Sequence, residues 1–160
     1  MADGTIITNV TDALAICSNI IEAAKNEIVY ISPPSLLVLG SQLNLRETIK
    51  MFIQRGASAR GVADFSYQYI EEMREILDIG TDLRHVSQYQ GIFMLVADRR
   101  ESISSMSIDV ERLSIDTPVI ALRSDDPTYA EYLMATFETA WEQSIPAAER
   151  IEALLKVGPL

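Results

Sequence analysis

Gly91-Ile92-Phe93-Met94-Leu95-Val96-Ala97-Asp98-Arg99-Arg100-Glu101-Ser102-Ile103-Ser104-Ser105 decides how this chain is arranged. Ile92 to Ala97 is an unbroken apolar run, the pattern of a strand covered on both faces, and it places Phe93, Met94 and Val96 in the core. Asp98-Arg99-Arg100 is a short polar link of the kind that makes a hairpin turn. A second strand is expected from Ser102 to Ile108. The link is too short for a crossover helix, so the two strands are predicted to be antiparallel neighbours.

Upstream the rhythm differs. Thr8 or Thr11 is expected to cap a helix running to about Lys25, with Asn26 as its stop. Glu27 to Ile31 is short and rich in β-branched residues, and Ser32-Pro33-Pro34 closes it as a strand. Leu36 to Leu39 predicts one helical turn. A helix follows from about Asn44 to Gln54, stopped by Arg55-Gly56. Ser58 to Asp64 then reads as a strand, Tyr67 to Ile79 as a helix ending at Gly80, and Leu83 to Val86 as another strand. These strand-helix-strand steps predict parallel pairing with right-handed crossovers. Downstream, Pro118 to Arg123 is a strand. Asp125 or Asp126 followed by Pro127 opens a helix whose Tyr129, Tyr132, Leu133, Phe137, Ala140 and Trp141 are expected on one face. Pro146 starts a last helix that runs to about Lys156.

The 160 residues suit one domain, which buries roughly two thirds of the surface of its unfolded chain. Apolar residues make up 48%, charged residues 22%, and mean hydropathy is +0.13, which excludes a disordered chain. Thirteen Lys and Arg against 23 Asp and Glu give a net charge of −10, which argues against binding nucleic acid by bulk electrostatics. Between Asp125 and Glu152 there are seven carboxylates and one arginine, Arg150, the pattern of a solvated helical face. The start, Met1-Ala2-Asp3-Gly4, carries neither a basic nor an apolar leader region, and no apolar stretch is long enough to span a membrane. A cytoplasmic location is expected.

Several chemistries lack their motifs. Neither G-x-G-x-x-G nor G-x-x-x-x-G-K-[ST] occurs. His85 is the only histidine and Cys17 the only cysteine, so no zinc site is expected. Cys17 falls in an apolar helical pattern and is expected to be buried and inert. No serine stands in G-x-S-x-G. No cofactor is implied.

Together with Ala24-Lys25-Asn26-Glu27-Ile28-Val29-Tyr30-Ile31-Ser32-Pro33, Arg55-Gly56 and Leu83-Arg84-His85-Val86, the opening stretch resembles one half of the phospholipase D-like fold. The likeness is strongest to its non-catalytic branch, the effector and sensor domains of TrmB-like regulators. It is carried by the order and spacing of these pieces and extends over residues 12–143. It implies an α/β fold, a single phospholipase D-like half over residues 1–160, with a mixed parallel and antiparallel sheet flanked by helices.

Active members of that family carry H-x-K-x-x-x-x-D on this strand, where histidine attacks phosphorus and lysine holds phosphate oxygens. Aligned on Asp98, this chain has Gly91 at the histidine position and Phe93 at the lysine position. Sliding the alignment onto His85 fails, because Ser87 and Ile92 then occupy the other positions. Ser104-Ser105-Met106-Ser107 stands where active members have Gly-Ser and then Asn. The resemblance thus implies no catalytic residue and no phosphodiesterase activity.

What remains is a ligand site. Tyr30 and Ser32 lie at the C-terminal end of a parallel strand, where open α/β sheets place their crevice. Asp64, Arg84, His85 and Arg123 also fall near strand ends. In the relatives' strand order these six approach one rim above Phe93, a lining suited to a small polar or anionic metabolite. The first expectation is therefore a regulatory, small-ligand sensing and dimerisation domain that makes no direct contact with nucleic acid or membrane. It is a homodimer that controls a DNA-binding or signalling domain, fused or separate. Two alternatives stand beside it: a hydrolase using Asp64, His85 and Asp98, and a purely structural oligomerisation domain.

Overall fold

In the computed structural model, residues 4–89, 91–105 and 113–159 are described. Their strands are β1 (Gly4–Asn9), β2 (Glu27–Ile31), β3 (Ser58–Ala63), β4 (Asp82–His85), β5 (Phe93–Ala97), β6 (Glu101–Ser105), β7 (Pro118–Ser124) and β8 (Ile145–Pro146). The helices are α1 (Val10–Ala23), α2 (Pro34–Gln42), α3 (Leu45–Gln54), α4 (Ile70–Asp78), α5 (Pro127–Gln143) and α6 (Ala147–Val157). All eight strands join one sheet in the order β1-β7-β6-β5-β2-β3-β4-β8. β2, β3 and β4 are parallel, as their intervening helices require. β5 turns back antiparallel to β2, and β6, β7 and β1 continue antiparallel. The mixed α/β sheet expected from the sequence is present.

Alternation along each strand divides the side chains between two layers. Ile28, Tyr30, Phe93, Leu95 and Ile103 face α1 and α3. Val29, Ile31, Val62, Met94 and Val96 face α5, packing on Met134 and Phe137. Leu83 and Phe65 join α4 and α6 around the β3–β4 end. Cys17 is buried in the first layer, and burial pushes its thiol up to about 12, which keeps it protonated and unreactive.

The hairpin between β5 and β6 is closed by three residues, Asp98 to Arg100, with Ala97 paired to Glu101. Asp98 and Arg99 both take left-handed φ, 53° and 56°, and Arg100 N–H donates to Ala97 O at 3.0 Å. Paired left-handed residues match the twist of the flanking strands.

The structure corrects several boundaries. Asn9 caps α1, accepting from Asp12 N–H at 2.8 Å, where Thr8 or Thr11 was expected. Gly4–Asn9 forms an edge strand that was not foreseen. The turn expected at Leu36–Leu39 is a nine-residue helix with Pro34 in its first turn. Pro146 pairs with Arg84 in β8 before α6 begins. Tyr132 points to solvent at 68% exposure, off the buried face of α5 that carries Leu133 and Phe137. Of the strand expected over Ser102–Ile108, residues 106–108 lie outside the described residues, as do Met106 and Ser107 of the compared motif.

Candidate functional site

The six residues expected on one rim are placed in four different settings. Ser32 and His85 do lie level with one another at the C-terminal edge of the parallel strands. His85 pairs with Ala63, and Ser32 N–H donates to Val62 O at 3.1 Å. Both are buried. Ser32 Oγ bonds Pro33 O at 3.0 Å, next to α2.

His85 is the centre of this edge. Its Nδ1 accepts Phe65 N–H at 3.3 Å, so the ring proton resides on Nε2, which lies 3.1 Å from Ser87 Oγ. The Phe65 ring meets the imidazole edge-on at 5.2 Å. Burial lowers the His85 pKa below the ordinary histidine value and Arg150 lowers it further, against smaller upward pulls from Asp64 and the Ala63 backbone. At neutral pH the ring is therefore neutral. Arg150, on α6, also donates to Phe65 O at 3.2 and 3.3 Å. The only clue to Arg150 in the sequence is that it is the lone cation of an acidic stretch.

Arg84 faces the opposite side of the sheet. Its Nε donates to Ser144 Oγ at 2.6 Å and Nη2 to Ser144 O at 2.8 Å, and its guanidinium stacks 5.1 Å from the Trp141 ring. This cation holds the C-terminal end of α5, and Arg60 stacks on the same Trp141 at 5.2 Å.

Tyr30 points into the helical layer, buried over Gly61, where a Cβ would meet its ring at 2.4 Å. Burial raises its pKa, and the nearby Arg46 partly offsets the rise. Arg123 is level with Tyr30 but three ladders away, through Ile103 and Leu95, a separation of roughly 14 Å. It pairs with Glu101 at 3.2 Å. The expectation that Tyr30, Arg84 and Arg123 join Ser32, Asp64 and His85 at one rim is thus corrected. Strand alternation and sheet width separate them.

The grouping of Asp64, His85 and Asp98 is corrected as well. Asp98 lies at the other end of the strands, roughly 17 Å along β5 from Phe93. Its carboxylate accepts Lys25 N–H at 2.7 Å, Asn26 N–H at 2.8 Å and Glu27 N–H at 3.0 Å. Burial opposes ionisation, but these three amides outweigh it and hold the pKa below the usual aspartate value. Asp98 is a clasp between the start of β2 and the β5–β6 turn.

Phe93 is buried opposite Ser105, packed with Leu14, Cys17 and Leu36. Ser105 Oγ is spent on Ile120 O at 2.7 Å. Among the described residues no three His, Cys, Asp or Glu side chains converge as metal ligands, and no helix is long and apolar enough to cross a membrane.

No family model matches this chain, and no curated protein sequence does. Solved structures do. Nuc from Salmonella typhimurium, a phospholipase D family member, superposes with a TM-score of 0.71 at 15% identity, over 91% of this chain and 98% of that one. NucT from Helicobacter pylori gives 0.71 at 12% identity, over 91% and 99%. TrmBL2, an archaeal chromatin protein described with a novel mode of DNA binding, gives 0.70 at 16% identity over 89% of this chain. The chain spans about half of TrmBL2, 54% of its length. At these identities the likeness establishes the fold, which is phospholipase D-like.

Proposed function

We propose that this chain is a non-enzymatic regulatory module of the phospholipase D-like fold that works as a pair with a second copy of itself. The observation that carries this reading is the engagement of its only histidine. Phosphoryl transfer through histidine needs a ring nitrogen with a free lone pair facing phosphorus. The Nδ1 lone pair of His85 is occupied by Phe65 N–H, and Nε2 holds the proton that faces Ser87. In the family motif, Gly91 and Phe93 stand for histidine and lysine, and the Phe93 side chain fills its position with packed hydrocarbon. The output of such a module belongs to a DNA-binding or signalling domain, the direction in which the likeness to the chromatin protein TrmBL2 points.

A second copy suits the free edge of the sheet. Among the described residues β1 pairs with β7 alone and stands at the edge of the sheet. Gly4-Thr5-Ile6-Ile7-Thr8-Asn9 carries no charge in a chain of net charge −10, so it lacks the charged residues that usually guard an edge strand. Ile6 is 61% exposed and Ile120 71% exposed. By register they lie on the α5 face of the sheet, next to Leu122 and Ser104. Tyr129 bonds Ser104 Oγ at 2.8 Å and stacks on the exposed Tyr132 at 6.3 Å, which extends the patch. An antiparallel edge meets its own copy about a two-fold axis, the commonest closed symmetry. Light scattering at micromolar concentration should give twice the 17.8 kDa chain mass, and the pair Ile6→Lys with Ile120→Lys should return monomer. A wild type that stays monomeric at high concentration contradicts the proposal.

One observation favours a purely structural oligomerisation domain as second reading: Tyr30, Arg84 and Arg123 do not converge on a ligand. The two readings separate on whether the chain binds a small molecule anywhere.

A further inference from the structure

Beneath α2 the first layer is imperfectly packed. A narrow crevice runs between α2, α3 and the start of β4, walled by Leu37, Leu45, Ile49, Ile76 and Ile79. Its inner end is polar. Tyr30 and Thr81 are both buried there, and the Thr81 hydroxyl lies beside that of Tyr30 without a well-formed hydrogen bond. Arg46 uses Nη1 on Glu75, while its Nη2 is buried with no partner. Two orphaned donors, one of them on the Arg46 cation, thus lie beside a buried phenol, an arrangement that costs stability unless an acceptor joins it. A second crevice shares Tyr30, Leu37, Leu45 and Ile49 and continues the apolar wall to Leu95 and Phe93.

We propose that this crevice binds a small carboxylate with an aliphatic tail. The carboxylate accepts from Arg46 Nη2, Thr81 Oγ1 and the Tyr30 hydroxyl, and the tail follows the apolar wall beneath α2 toward Phe93. Arg46 selects for negative charge and its planar fork suits a carboxylate. Beyond that inner end the wall is apolar apart from Ser41, which disfavours a sugar or a nucleotide, each of which needs many polar partners.

The crevice is too narrow to admit an alkyl chain as it stands, so entry requires α2 to swing outward. The helix is built for that. Pro33 gives it no side-chain cap, Ser35 Oγ is buried without a partner in its first turn, and Asn44 joins it to α3 in the left-handed conformation at φ 65°. Glu75 is the internal competitor for Arg46, and with its side chain 61% exposed it can turn away to water.

This site goes beyond the pairing proposed above and does not depend on it. The test is calorimetric titration and thermal shift with octanoate, octan-1-ol and inorganic phosphate. Wild type should bind octanoate and melt higher in its presence, with the alcohol and phosphate at least tenfold weaker. Glu75→Gln should bind octanoate at least threefold tighter, because the competing carboxylate is gone. Arg46→Met should lose tenfold or more, and Leu37→Trp should block the crevice. Should Arg46→Met fail to fold, Glu75→Gln and Leu37→Trp decide. Octanoate that binds neither wild type nor Glu75→Gln at millimolar concentration overturns the proposal, as does octan-1-ol binding equally well. Light scattering on the same samples reports the pairing separately.

Discussion

His85 Nδ1 accepts the backbone N–H of Phe65 at 3.3 Å, while Arg150 holds the carbonyl of the same residue. One residue of the loop after β3 is therefore gripped from both sides, and one grip depends on a neutral imidazole. Protonation would turn the acceptor at Nδ1 into a donor facing another donor. The groups that face the ring are Arg150, Asp64, the Ala63 backbone and Ser87, and burial with Arg150 outweighs Asp64 and Ala63. Because the folded pKa is depressed, the unfolded chain binds the proton first as pH falls. Stability is full above the unfolded value of 6.5 and declines from there down to the folded pKa. Melting temperature measured from pH 8 to pH 5.5 should fall below about 6.5. His85→Asn keeps an acceptor without a titrating group and should be flat over that window, whereas a flat wild type contradicts the assignment.

Asp98 ties the start of β2 to the β5–β6 turn through three amides. Asp98→Ala removes an ionised acceptor and should cost about 2–3 kcal/mol in urea unfolding. Asp98→Asn, which tolerates the left-handed backbone and keeps one acceptor oxygen, should cost less. Because the pKa of Asp98 is lowered, its contribution is complete above the unfolded value of 3.8 and disappears as pH falls through the folded one. Equal loss for the two variants would show that charge and hydrogen bonding are not what holds the clasp.

Arg84 is a structural cation that binds the end of α5. Arg84→Ala should destabilise by about 2 kcal/mol through the lost Ser144 bonds and Trp141 stacking. Arg84→Lys should recover little, since an ammonium cannot make the forked contact. Near-wild-type urea midpoints for both variants would return Arg84 to the list of ligand contacts.

Gly61 is a close approach to the Tyr30 ring. Gly61→Ala would put a methyl 2.4 Å from the ring, beyond what rotation of a buried aromatic can relieve, and should cost about 2–3 kcal/mol. Tyr30→Leu should absorb much of that cost, so the double variant should be more stable than the two single losses predict. Strict additivity would contradict the packing described here.

Some of this was legible before any coordinates. The apolar run through Phe93 to Ala97 and its short polar link announced the hairpin, and Asp126-Pro127 announced α5, because each signal is local. β1 was hidden because Thr8 and Thr11 imitate caps and an edge strand shows little alternation. α2 was hidden because it is apolar on all sides and lacks a capping side chain. The rim failed for a reason present in the sequence: Arg84 and His85 are neighbours in one strand, so they must face opposite sides of the sheet. The distance of Arg123 depended on sheet order and register, which no local pattern carries. Arg46 and Thr81 gave no signal, since their significance comes from burial beside Tyr30.

The central claim is that a phospholipase D-like fold here carries no phosphodiesterase chemistry, and hydrolysis of bis(p-nitrophenyl) phosphate by wild type and by His85→Asn tests it most directly. With both ring nitrogens of His85 engaged, and with Gly91 and Phe93 standing at the histidine and lysine positions in the alignment we propose, turnover by wild type should not exceed the buffer blank. Turnover above the blank that disappears in His85→Asn, with the variant still folded, would contradict the account and make the chain an enzyme.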